Sequence, residues 1–406
     1  MNSKAITILY SLTICFSMTY VVLDMKMSFI HNILTICLYI SFFLVLFQWR
    51  RKFKGFNYPK IFKWFVAFFL IYSLVIFNYL TVGKQFPLSD MLGCPGSIIQ
   101  FISETLILLC LFLFLPLLEE QQKNTGFLFK SYIYLNILSL LYIRSNVSWY
   151  DLGPYALMAS CTASGVGMLT IAFRNRLFQR ESINVIATIL IFISCIMVWS
   201  YCNKRGPILY FLLILLFYFF SKKPDRLPHK ILYLSFFIIF IILIQDTVFA
   251  LLQTFSPDLY ERFRDSLVSG DTSGRLGEED SGYALAYKQI IENPWTGTYF
   301  RLTTTIPIWS GMYPHNFFLE SMMTFGLAGT IPFLYFIFYA IKRCFRYLSQ
   351  ETINSVMNIR IMFSILFLNS FLTMMSTGTP LLNRTFWVSL GAVLYFSNRL
   401  KNSNVK

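Results

Sequence analysis

The chain has 406 residues, of which 56% are hydrophobic, 18% aromatic and only 13% charged, and its mean hydropathy is +0.60. That composition excludes a soluble globular enzyme and reads as an all-α polytopic membrane protein, one integral domain over 1–406. The formal net charge of +15 does not call for nucleic acid, because Lys and Arg fall in short clusters between apolar runs, as the positive-inside tendency places them.

Taken in chain order, apolar runs near the ~20 residues that a membrane-crossing helix needs recur throughout. They predict about twelve spans, at 5–23, 29–48, 61–82, 97–118, 127–143, 155–173, 183–201, 206–220, 231–252, 315–341, 359–376 and 384–397. The first follows Lys4 without a small-residue cleavage site and reads as a retained signal-anchor. Basic links at Arg50-Arg51-Lys52, Arg174-Asn175-Arg176, Lys222-Lys223, Lys342-Arg343 and Arg399-Leu400-Lys401 then place both termini in the cytoplasm. Cys15, Cys37, Cys110, Cys161 and Cys195 lie within apolar runs as small hydrophobes, and no disulfide framework or metal spacing is visible.

Two outer links stand out. The stretch 82–96, with Pro87, Gly93, Pro95 and Gly96, suits an irregular cap. The loop 253–314 is far longer than a compact bundle needs. Within it, Ser256 caps a helix that starts at Pro257 and carries Leu259, Phe263 and Leu267 on one stripe. A second helix is expected from Ser281 to Glu292, with Tyr283, Tyr287, Ile290 and Ile291 on one face and Asn293-Pro294 as its stop. Two such amphipathic helices would lie on the membrane surface as a lid over the bundle.

Polar chemistry gathers around this loop and the helix that follows it. His315 is expected in the first turn of an outward-starting helix, where unpaired N–H groups disfavour imidazolium and leave a neutral ring able to accept a proton. The same position suits an interfacial histidine packed among Trp309, Tyr313 and Phe317, while His31 and His229 read as structural or cytoplasmic. Asn316 and Glu320 share a helix face, so Glu320 either orients Asn316 or faces a polar cavity. Glu104 and Asp246 raise the same question inside the bundle. Lys204-Arg205-Gly206-Pro207 is a short outer turn that holds a guanidinium at the membrane edge, a geometry suited to phosphate oxygens. Arg262, Arg264, Arg275, Lys288 and Arg301 add positive charge to the outer loop, fitting an anionic ligand or a solvated loop balanced by Glu278-Glu279-Asp280. Tyr299, Trp309 and Tyr313 suit stacking on sugars or anchoring at the interface. There is no P-loop, dinucleotide fingerprint, zinc spacing or serine elbow, so no cofactor or metal is expected.

The run His315-Asn316-Phe317-Phe318-Leu319-Glu320 with Phe325-Gly326-Leu327-Ala328-Gly329 resembles the histidine-asparagine helix start and Gly-x-x-Gly sequel of the O-antigen polymerase and O-antigen ligase superfamily. Glu292-Asn293-Pro294-Trp295-Thr296-Gly297 resembles its Asn-Pro-x-x-Gly element, and Lys204-Arg205-Gly206 its Ser-Arg-Gly turn, with lysine in place of serine. Tyr283 stands where the family has a tryptophan. The likeness covers about 200–345 and the multi-span layout.

The resemblance implies a GT-C-like glycosyltransferase architecture in a bacterial inner membrane, with the large loop periplasmic. It also implies inverting, metal-independent transfer of a glycan from undecaprenyl diphosphate. His315 would be the general base, and Arg205 with Arg275 or Arg301 would hold the diphosphate; Arg262 and Arg264 are rivals. Asn316, Glu320 and Lys204 would support them, and Tyr299, Trp309 and Tyr313 would contact sugar. Partners would be lipid-linked donor and acceptor, the bilayer and a chain-length regulator. Polymerase, ligase and lipid-linked oligosaccharide flippase are the functions to be separated.

Overall fold

The structure is a computed structural model that describes residues 58–82, 98–120, 125–146, 155–173, 181–202, 205–222, 228–232, 282–297, 316–350, 355–375 and 383–398, with isolated positions elsewhere. The expected spans at 5–23, 29–48 and 231–252 and the first loop helix after Ser256 lie almost wholly outside the described residues. Helix is the one regular element among those described: α1 (Lys60–Val82), α2 (Ile98–Glu120), α3 (Thr125–Asn146), α4 (Tyr155–Ala172), α5 (Glu181–Cys202), α6 (Arg205–Ser221), α7 (Gly282–Glu292), α8 (Phe317–Ser349), α9 (Ser355–Met374) and α10 (Arg384–Tyr395), which runs into a 3-10 turn. Each of the remaining nine expected spans has a helix, and α7 coincides with the second loop helix. Two, α5 with 22 residues and α8 with 33, are long and apolar enough to cross a membrane by length and composition.

Apolar side chains lie on the outside of the bundle as well as in its core. Along α5, Ile183, Val185, Ile186, Ile189, Leu190 and Ile193 point outward, while Asn184 is buried. Inside the bundle lie Asn136, Ser160, Ser164, Thr170, Asn369, Ser370 and Thr373. Large contiguous apolar exposure over an apolar core is what a lipid-facing exterior produces.

Two packing groups meet on α8 and α9. In one, α10 packs on α9 and is wrapped by α1, α2 and α8. Its Trp387 stacks on Phe333 of α8 (5.3 Å, 5° between planes) and meets Phe69 and Tyr72 of α1 edge-on (5.0 and 5.2 Å). In the other, the small residues of α4 let α3, α5, α6 and α9 approach closely. Trp199 Nε1 donates to the Ser160 carbonyl (3.1 Å), Ser164 Oγ to the Pro207 carbonyl (2.6 Å), and Asn369 Nδ2 to the Cys161 carbonyl (2.9 Å). These bonds satisfy polar groups that have no water to turn to.

One end of the bundle is basic. Lys222 Nζ donates to the carbonyl of Gln350, the C-cap of α8 (2.5 Å), and Lys230 Nζ to those of Phe219 and Phe220 at the end of α6 (2.9 and 3.2 Å). Arg360, at the start of α9, lies over the rings of Tyr347 and Phe396. Cations at helix C-termini answer both the free carbonyls and the negative end of the dipole. At the opposite end Phe317, opening α8, meets Phe371 of α9 and Phe386 of α10.

Candidate functional site

The opposite end is where α6, α8 and α10 begin. Asn316 caps α8 from an extended backbone (φ −142°, ψ 117°), its side-chain oxygen accepting from Phe318 N (3.0 Å) and Leu319 N (3.2 Å). Its carbonyl accepts the first helical bond, from Glu320 N at 2.9 Å. Asn316 is therefore oriented by its own helix, and α8 starts two residues after His315, which immediately precedes the cap. His315, Lys204, Arg275, Arg301, Tyr299, Trp309 and Tyr313 lie outside the described residues. Glu320 is 5% exposed and keeps company with Ser321 and Thr324, both buried.

Ten residues into α8 the helix breaks. Gly326 takes φ 58°, ψ −165°, a conformation that L side chains rarely adopt. Into this break fits the turn Asn293-Pro294-Trp295-Thr296-Gly297 that ends α7. Leu327 N donates to the Pro294 carbonyl (2.8 Å) and Ala328 N to the Trp295 carbonyl (3.1 Å), so the N–H groups released by the break are taken by the turn. The turn closes on itself through Gly297 N and the Asn293 carbonyl (3.0 Å). Gly297 is left-handed as well (φ 67°), and a Cβ there would sit 2.5 Å from the Thr324 carbonyl; a Cβ on Gly326 would collide with the backbone of Trp295 and Thr296. Two glycines in separate segments are thus required by one backbone-to-backbone joint.

Beside the joint, Ala286 and Ile290 of α7 pack on Met323 and Leu319 of α8. The expected single apolar face of α7 is divided: Ile290 turns inward, while Tyr287 and Ile291 are exposed. Ala286 takes the inner face because only a small side chain lets the two helices come this close.

Arg205 opens α6 three residues after α5 ends at Cys202, so Arg205, Gly206 and Pro207 of the expected turn begin the helix, with Pro207 in the first helical turn where its missing N–H costs nothing. The bond from Ser164 to the Pro207 carbonyl ties this turn to α4. Glu104 lies within α2 and Asp246 outside the described residues.

Arg384, not among the residues that the sequence singles out, is 6% exposed at the start of α10 behind the cap made by Asn383 with Phe386 N (2.9 Å). An arginine opening the apolar run 384–397 was the available signal. Nor does the sequence single out the pairing of Gly297 with Gly326, for which no local pattern exists.

No protein family, curated protein or solved structure matches the chain.

Proposed function

We propose that the chain is a membrane glycosyltransferase acting on lipid-diphosphate-linked glycans. Within that class the reading is an O-antigen polymerase that joins undecaprenyl-diphosphate-linked repeat units at the periplasmic face of the inner membrane. The supporting observation is the joint: the Asn-Pro-x-x-Gly turn and the Gly326 segment, both singled out by the resemblance, are built as one unit beside the Asn316 helix start. That unit lies at the end opposite the basic cluster, the end at which Arg205 opens α6.

In this reading about twelve spans hold the site, both termini are cytoplasmic, and the 253–314 loop is periplasmic. His315 takes the proton from an acceptor sugar hydroxyl as its oxygen bonds to the donor's anomeric carbon, with inversion. The anomeric C–O bond to the diphosphate breaks, and undecaprenyl diphosphate leaves with the electron pair, its charge met by Arg205 and a loop arginine, Arg275 or Arg301. No metal or other cofactor is required.

A flippase is the second reading, favoured by the broken α8, since transporters use discontinuous helices as ion and substrate sites. Against it, the turn already occupies the N–H groups of Leu327 and Ala328. The lipopolysaccharide of a deletion strain separates the readings. A polymerase leaves core bearing a single repeat, and His315→Ala, expressed at normal level, gives the same pattern. Core without any repeat indicates ligase or flippase, and a normal ladder from His315→Ala removes the base.

A further inference from the structure

An α-helix turns by about 100° per residue, so Ala286, Ile290, Tyr287 and Ile291 of α7 form one continuous apolar arc about 140° wide. The bundle covers only half of it: Ala286 and Ile290 lie against Met323 and Leu319, whereas Tyr287 (64%) and Ile291 (60%) are exposed. The open half continues past the helix stop onto Trp295, 69% exposed. The backbone of Trp295 is held against α8 by the bond from Ala328 N.

The level of this stripe follows from α8. Its 33 residues exceed the ~20 that a crossing needs. Its outer face carries Ile331, Tyr335 and Phe338, and Lys342, Arg343 and Arg346 mark its basic end. Counted back from Lys342, ~20 residues reach the neighbourhood of Met322, so the break at Gly326 falls within about one helical turn of the bilayer boundary remote from the basic end. Trp295, whose carbonyl accepts from Ala328 N, sits close to that boundary. Tyrosine, tryptophan and an aliphatic side chain flanked by Lys288 are the composition of a headgroup-level anchor.

We propose that Tyr287, Ile291 and Trp295 form a membrane-interface anchor seated among bilayer lipids, with the glycine joint locking its depth to α8. The inference rests on the membrane-spanning reading and is independent of the glycosyl transfer.

The full chain is reconstituted in phosphatidylcholine vesicles carrying bromine near the headgroup end or near the tail end of the acyl chains. Tryptophan emission of the wild type is compared with that of Trp295→Phe, and the difference isolates one of the seven tryptophans. The expected difference signal is blue-shifted and is quenched more by the headgroup-end bromines than by the tail-end ones. A second variant, Ile291→Trp, keeps Trp295 in place and is expected to add emission with the same depth profile, which keeps the test alive if Trp295→Phe does not fold. A difference signal open to acrylamide and untouched by bromolipid would overturn the anchor, as would one shielded from both. Trp64, 70% exposed on α1, supplies the control: if the emission remaining in Trp295→Phe also ignores bromolipid, the membrane reading itself fails, and if only the difference signal does, the anchor alone fails.

Discussion

At the scale of single residues, the two left-handed glycines carry the sharpest expectations. An L residue in the left-handed region costs about 1–2 kcal/mol by itself, and at Gly297 or Gly326 an added Cβ also meets backbone that has no rotamer to change. Gly297→Ala and Gly326→Ala are each expected to lower the thermal midpoint and abolish glycan ladders. Because both open the same joint, the double variant is expected to be scarcely worse than either single one; additive losses would show that the glycines act separately. Asn316→Ala removes a cap and is expected to cost about 1 kcal/mol, with Asn316→Ser recovering most of it. If Asn316→Ser keeps its midpoint but loses activity, the amide works on substrate beyond its capping. Tyr58, just before α1, donates to the Leu113 carbonyl (2.7 Å), and burial pushes its phenol up from 10.0 to about 12. A raised folded value favours the neutral form, so its contribution is whole below pH 10.0 and is lost as pH rises through about 12. Tyr58→Phe is expected to flatten that alkaline decline in thermal midpoint, and an unchanged decline would assign it to other groups.

Elements divide by how much of their surface the protein covers. α10 is buried on all sides, and truncating Trp387 in its first turn (1% exposed) to alanine is expected to cost about 3–5 kcal/mol, read as a fall in thermal stability. α5 is covered on one side only. Ile189→Lys on its outward face would be nearly neutral on a water-facing helix, yet at the centre of a membrane span it costs about 2.5–3.5 kcal/mol in insertion. Unimpaired membrane integration of Ile189→Lys would contradict the lipid-facing assignment. α5 was legible beforehand because a helix long and apolar enough to cross a membrane declares itself by length and hydropathy alone. The division of α7 was not, since periodicity defines an apolar arc but says nothing of which half a neighbour will cover; the small Ala286 decided that.

Across the whole molecule, the sequence marked out segments but not that they come together. Asn293-Pro294-Trp295-Thr296-Gly297 and Phe325-Gly326-Leu327-Ala328-Gly329 were picked out as separate motifs. That they meet through main-chain carbonyls and N–H groups depends on a tertiary approach that side-chain patterns do not encode. Arg384 escaped notice for a related reason, because a single cation in an apolar run resembles a span boundary until burial is known. Lys222 was legible as part of a basic link between apolar runs, whereas the lysine caps on the α6 and α8 carbonyls needed coordinates. Joint and helix start lie together toward one end of the bundle, and the proposed function assigns that end the positioning of two lipid-linked glycans. The most direct test of that account is elongation by the purified protein in vesicles, supplied with one synthetic undecaprenyl-diphosphate-linked repeat unit in the presence of chelator. The account predicts a ladder of lipid-linked products with two and more repeats, absent with His315→Ala. Substrate left unchanged by well-folded wild-type protein, or transfer only when lipid A core is added, would contradict it.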